Sequence, residues 1–248
     1  TPSDIGVVDY VIVAVKQYQL SGAVSSIPPL IGQKTTVVPL LNGIDAHEQL
    51  MDVADSQHII GGLSSLVSMI EAPGVIRHES QLQKIVLGEL DCNKTKRVET
   101  LVQAWASCGV EAIHADDIFV ALWTKFLFIA SFGGVTSLCR GTAGEVLDTS
   151  ATRELLRQAM EEVEVLALEQ EIILKPDIVQ STMTFIEGLE PTATSSMQRD
   201  VASGKPFELE AFSGTIVRLG REFQVPTPVH GAIYALLLPA LKRALTSS

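Results

Sequence analysis

Apolar residues fall in short saturated runs through the first half of the chain and recur at helical spacing through the second. Residues 10–15 are dominated by valine and isoleucine on both faces, which predicts a central parallel strand ending at Lys16. A helical stretch to about residue 27 is closed by Pro28-Pro29. Residues 35–41 then predict a second buried strand, and Asn42-Gly43 turns the chain into a helix over 45–54, completing a βαβ crossover. Residues 58–70 are small and branched, Pro73-Gly74 marks a turn, and 75–78 and 83–88 read as further strands at a sheet edge or meander. An amphipathic helix over 94–107 and a strand over 110–114 complete this half.

From Asp117 the pattern is helical throughout. Residues 118–132 hold twelve aliphatic, aromatic or alanine residues in fifteen, broken only by Thr124, Lys125 and Ser131. Asp116-Asp117 before and Gly133-Gly134 after supply start and stop signals. A helix apolar on every face is a buried helix. Fifteen residues with a central charge fall short of the roughly 20 needed to cross a bilayer. Further helices are expected over 151–171, from Pro176, from Ser195-Ser196, from Pro206 and over 226–245. The expected organisation is an α/β domain over 1–116 and a helical domain over 117–248, with a small-molecule cleft between them.

Lys125 is the residue that stands out. In an apolar helix its ammonium must pair with a carboxylate, face a wet cleft or lose its proton, unless the side chain snorkels to the surface. The local sequence admits each of these. Elsewhere the crevice rule for parallel sheets singles out the carboxyl ends of strands, where Lys16 and Asn42-Gly43 stand. A solvated loop lysine and a turn-forming asparagine explain the same residues equally simply.

Composition narrows the classes. Hydrophobic residues make up 46% and charged residues 19% of 248, which describes a globular protein with a real core. A formal net charge of −11 argues against binding nucleic acid or anionic membranes. Cys92, Cys108 and Cys139 have no metal-ligand spacing and are odd in number, which suits a reducing cytoplasm. The five histidines are scattered, so no metal is expected, and neither a G-x-S-x-G elbow nor a P-loop is present. The G-x-G-x-x-G fingerprint is absent too. Because a central strand arrives within ten residues of Thr1, a preceding segment with the first βαβ unit is expected.

The order of Asp9-Tyr10-Val11, Val15-Lys16, Leu41-Asn42-Gly43, Trp123-Thr124-Lys125, Ser195-Ser196-Met197 with Asp200, and Glu208 with Gly214 resembles the ketopantoate reductase (2-dehydropantoate 2-reductase) family along essentially the whole chain. Each motif is short; together, in one register, they are specific. The resemblance implies an α/β fold: a Rossmann-type nucleotide-binding domain whose glycine-rich loop would precede Thr1, then an all-helical substrate domain. It implies NADPH-dependent reduction of a small 2-oxo acid, 2-dehydropantoate by default, in a cytoplasmic enzyme. Lys125 matches the catalytic lysine that protonates the ketone oxygen, and Glu208 the acid that supports it. Ser196 matches a serine that holds the substrate carboxylate, while Lys16 and Asn42 line the cofactor crevice, with Asn42 also reaching substrate. Each has a plainer local explanation: a first-turn carboxylate for Glu208, and a capping box of Ser195 with Gln198 next to Ser196. The family's two asparagines after the lysine are here Ile129 and Gly133, which opens the alternative of a less polar 2-oxo acid or ketone. A non-catalytic binding or oligomerisation protein is the other alternative, and homodimerisation through the helical half suits its apolar content.

Overall fold

A short helix α1 (Pro2–Ile5) leads into strand β1 (Tyr10–Val13), which continues through a 3₁₀ turn and helix α2 (Leu20–Val24) into β2 (Thr36–Pro39). The two strands pair in parallel with Val13 opposite Pro39, forming the expected βαβ crossover. Helix α3 (Ala46–Leu50) follows, and then β3 (Ile60–Ser65), the hairpin β4 (Ser68–Ala72) and β5 (Val75–His78), and β6 (Lys84–Glu89). After α4 (Lys96–Ser107), strand β7 (Glu111–His114) joins β6 in parallel, whereas β3 and β6 are antiparallel. A parallel bridge between Val37 and Ile59 links the two ladders in the order β1-β2-β3-β6-β7. The structure, a computed structural model, describes residues 1–78 and 83–246.

Side-chain alternation explains why β2 is buried at all four positions. Val37 points into a core with Val11, Val13, Leu20, Val24 and Leu50, while Val38 points into another with Ile60, Ile85, Leu87, Val98 and Leu101. Both faces are covered, as a parallel strand requires. Among the described residues β1 has β2 as its ladder partner, and Ile12 is 40% exposed.

The long apolar helix α5 runs Ile118–Cys139, well past the expected end. Asp117 caps its start, accepting the N–H groups of Phe119 at 2.8 Å and Val120 at 3.1 Å, while Asp116 pairs with Lys94 at 2.7 Å. Gly133 and Gly134 are interior residues rather than a stop. A Cβ on Gly134 would lie 3.0 Å from Ile233, so glycine allows close approach there. At 22 residues α5 is long and apolar enough to span a bilayer, so its length no longer argues against one. Its apolar character is accounted for by packing, since 61% of the most apolar window is buried inside the protein.

Compact units cover Thr1–Leu122 and Trp123–Ser248, dividing the chain within α5 rather than before it. The reason is that Ile118 and Leu122 pack with Leu63, Val86 and Ala115 of the first unit. Gly61 and Gly88 face each other across β3 and β6, and Ile118 fills the notch they leave: a Cβ on Gly61 would lie 2.5 Å from Ile118 Cγ1. Gly61→Ala is therefore expected to destabilise this unit by about 1–3 kcal/mol. A urea titration should show this as a lower midpoint with an unchanged slope.

The second unit continues with α6 (Ala143–Asp148), α7 (Ser150–Glu169), α8 (Ile178–Glu187) and α9 (Ser196–Ala202). A π-helical turn over Glu210–Gly214 runs into α10 (Thr215–Glu222), and α11 (Pro228–Thr246) closes the unit. No strand occurs among its described residues.

Candidate active site

Helix α5 carries Lys125 as a partly buried residue between the buried Trp123 and Phe126. Burial pulls its pKa from the ordinary 10.5 to about 8, with the negative charge of Glu208 acting in the opposite direction. Such a lysine changes protonation near neutral pH, which is what a proton donor needs.

Glu208 is 3% exposed and stands two residues before the π turn. It is therefore not the first-turn carboxylate of a helix beginning at Pro206. The turn is fixed to α5 by rings: Phe212 meets Phe126 edge-on at 6.3 Å, and Phe126 meets Trp123 at 5.8 Å. Within it, the N–H of Phe212 donates to the Glu208 carbonyl at 3.1 Å. One aromatic chain thus ties the segment carrying the carboxylate to the helix carrying the ammonium. π turns are found frequently at functional sites.

One and two turns beyond Lys125, the same helix presents Ile129, half-buried, and Gly133, buried. A Cβ on Gly133 would sit 3.7 Å from the Phe212 ring and 3.8 Å from Met197 Cβ. Neither position offers a hydrogen-bond donor from a side chain, and Phe128 adds a further apolar group, stacked on Phe132 and edge-on to Phe185.

Ser196 is exposed at the first position of α9. Its neighbour Ser195 caps the helix, accepting the Gln198 N–H at 3.0 Å, and is bonded to Thr136 of α5 at 2.9 Å. Gln198 does not complete a capping box, because its amide donates to the Gly141 carbonyl instead at 2.9 Å. Lys125, Glu208 and Ser196 all belong to the second unit.

Lys16 and Asn42 belong to the first. In the parallel register Val13 stands opposite Pro39, so each residue lies three positions beyond the paired ends of β1 and β2. Gly43 adopts φ 104°, open to glycine and strained for other residues. A cation and an amide beyond the carboxyl ends of adjacent parallel strands fit the crevice in which such sheets hold nucleotides.

The sequence carried no visible sign of two features. The π turn has no sequence signature, and α11 is capped at its start by Glu162 of another helix, which accepts the Val229 and His230 N–H groups at 2.6 and 3.0 Å.

Comparison with known proteins adds independent findings. Two family models match, "Ketopantoate reductase PanE/ApbA" over residues 1–91 and "Ketopantoate reductase PanE/ApbA C terminal" over residues 117–240. An oxidoreductase of Bacillus subtilis, YkpB, is 28% identical over 234 residues, covering 94% of this chain and 77% of its own length. A 2-dehydropantoate 2-reductase of Mesorhizobium japonicum is 27% identical over 254 residues, again covering 94% and 77%. The crystal structure of 2-dehydropantoate 2-reductase from Geobacter metallireducens superimposes with a TM-score of 0.90 at 28% identity, covering 97% of this chain and 80% of that one.

Proposed function

The chain belongs to the ketopantoate reductase family, and on that premise we propose that it reduces a small 2-oxo acid to the 2-hydroxy acid with NADPH, Lys125 acting as the acid. The observation that carries this reading is the lysine on α5 whose pKa burial brings to about 8, with Glu208 as its charge partner. When bound, the nucleotide supplies a hydride to the carbonyl carbon. The Lys125 ammonium donates its proton to the carbonyl oxygen as that oxygen gains negative charge, leaving a neutral amine and a hydroxyl group. Glu208 holds the ammonium charged until transfer and accepts a hydrogen bond from the substrate. Ser196 presents a hydroxyl to the substrate carboxylate. Lys16 and Asn42 hold the nucleotide, and Asn42 reaches the substrate as well.

The substrate by default is 2-dehydropantoate. A second reading, a less polar 2-oxo acid, is favoured by the apolar face that Ile129, Gly133 and Phe212 form after Lys125. Losing two buried hydrogen bonds to a substrate hydroxyl costs on the order of 1–3 kcal/mol for each. The two readings separate in a spectrophotometric panel of 2-dehydropantoate, 2-oxoisovalerate and phenylglyoxylate, each with NADPH and NADH. Oxidation of NADPH with at least one 2-oxo acid is expected, and the ranking of kcat/KM names the substrate class. A purified full-length protein that oxidises neither nucleotide with any of them would overturn the reading.

A further inference from the structure

The π turn that follows Glu208 is held from behind by a buried polar chain. His230 of α11 is fully buried, and its Nε2 lies 3.1 Å from the Ala159 carbonyl of α7. A carbonyl can only accept, so Nε2 bears the hydrogen and Nδ1 is left to accept from the Ser213 hydroxyl at 3.1 Å. Burial pushes the His230 pKa down to about 4, so the ring stays neutral at physiological pH and the direction of both bonds is fixed. Ser213 lies in the π turn and is itself fully buried. Behind His230, the Glu162 carboxylate takes the first N–H groups of α11, which locks that helix onto α7.

On its exposed side the same turn is pinned again. Tyr234 of α11 donates to the Glu210 carboxylate, 2.9 and 3.2 Å from its two oxygens. Gly214 makes room for this contact, since a Cβ there would lie 2.8 Å from Glu210 Oε2 and 3.3 Å from the Tyr234 ring. Inside the turn, the Gly214 N–H donates to the Leu209 carbonyl at 2.9 Å, next in sequence to Glu208.

We propose that the Ser213–His230 hydrogen bond is a positioning device for the reductase site: it sets the place of the π turn on α11 and, through it, where Glu208 stands relative to Lys125. The proposal rests on the reductase reading given above. Neutral apolar packing could fill the same space, but it would not fix one arrangement of the turn. A fully satisfied buried network does.

The test is Ser213→Ala, which removes the donor and adds no bulk, in the full-length protein. Three quantities are compared with wild type: kcat and KM for the best 2-oxo acid, the thermal midpoint, and the pH midpoint of Lys125 labelling by trinitrobenzenesulfonate followed by peptide mass spectrometry. Glu208 is the group whose charge raises the Lys125 pKa, so its displacement should show on Lys125 directly. The expected result is a folded variant with kcat lowered about 10- to 100-fold and a Lys125 midpoint moved below that of wild type. A lower thermal midpoint with kcat and the Lys125 midpoint both unchanged would mean a purely structural role and would overturn the proposal. If Ser213→Ala does not fold, Ser213→Cys, which keeps the shape but offers only a weak donor to His230, carries the same test. There, smaller changes in the same directions support the proposal and none overturns it. A wild type that turns over no 2-oxo acid would remove the reductase reading, while the Lys125 midpoint in the variants would still decide whether the network positions Glu208.

Discussion

Lys125→Ala is expected to lower kcat for 2-oxo acid reduction by about 10²- to 10⁴-fold, the usual contribution of a positioned general acid. The nucleotide should still bind, because Lys16 and Asn42, to which we assign its binding, are untouched. The variant should also fold, and the reason lies in the same electrostatics. In the folded chain Lys125 releases its proton near pH 8, whereas in the unfolded chain it does so near 10.5. Between those values the unfolded state binds more protons, so wild-type stability rises with pH across that window. Below pH 8 the cost of burying the ammonium is present in full. The alanine variant is therefore expected to be more stable than wild type at neutral pH, with the difference shrinking toward pH 10.5. Urea midpoints of the two proteins at pH 7 and pH 10 measure this. A variant that loses activity because it loses its fold would be less stable at pH 7, and the role assigned to Lys125 would then be unsupported.

Glu208→Gln should have the next largest effect. The carboxylate is buried, and its charge is the force that opposes desolvation of Lys125. Glutamine keeps the shape and removes the charge. The Lys125 pKa should then fall below about 8, leaving less ammonium at neutral pH, and kcat should drop on the order of tenfold or more, each tenfold corresponding to about 1.4 kcal/mol of barrier. The signature is the pH profile: the descending limb should move to lower pH in the variant. Equal limbs in the two proteins, together with equal kcat, would separate Glu208 from the chemistry and leave it a structural carboxylate.

How far these residues could be read from the sequence depends on where their causes lie. Runs such as Thr36–Pro39 were legible because burial on both faces leaves a local trace in valines. The helix around Lys125 was legible for the same reason. Its end was not: Gly133-Gly134 reads locally as a stop, yet Ile233, Phe212 and Met197 pack against those glycines from distant parts of the chain and hold the helix together. Helix α6 did have a readable signal, Thr142 with Glu145 three residues on, and the structure forms both halves of that capping box. The cap on α11 had none, since Glu162 lies 67 residues from Val229. Glu208 shows the difference most clearly. The family resemblance pointed to it, local sequence explained it as a first-turn carboxylate, and its actual setting, ahead of a π turn pinned by His230 and Tyr234, comes from tertiary contacts alone.

The central claim is that Lys125 gives a proton to a carbonyl oxygen during nucleotide-dependent reduction, and the pH dependence of kcat/KM for wild type reports the ionisation of that group in the free enzyme. With NADPH and the best 2-oxo acid of the panel, kcat/KM should be level near neutrality and descend above about pH 8 as the ammonium is lost. A profile that stays level to pH 10 would contradict the assignment of Lys125 as the acid.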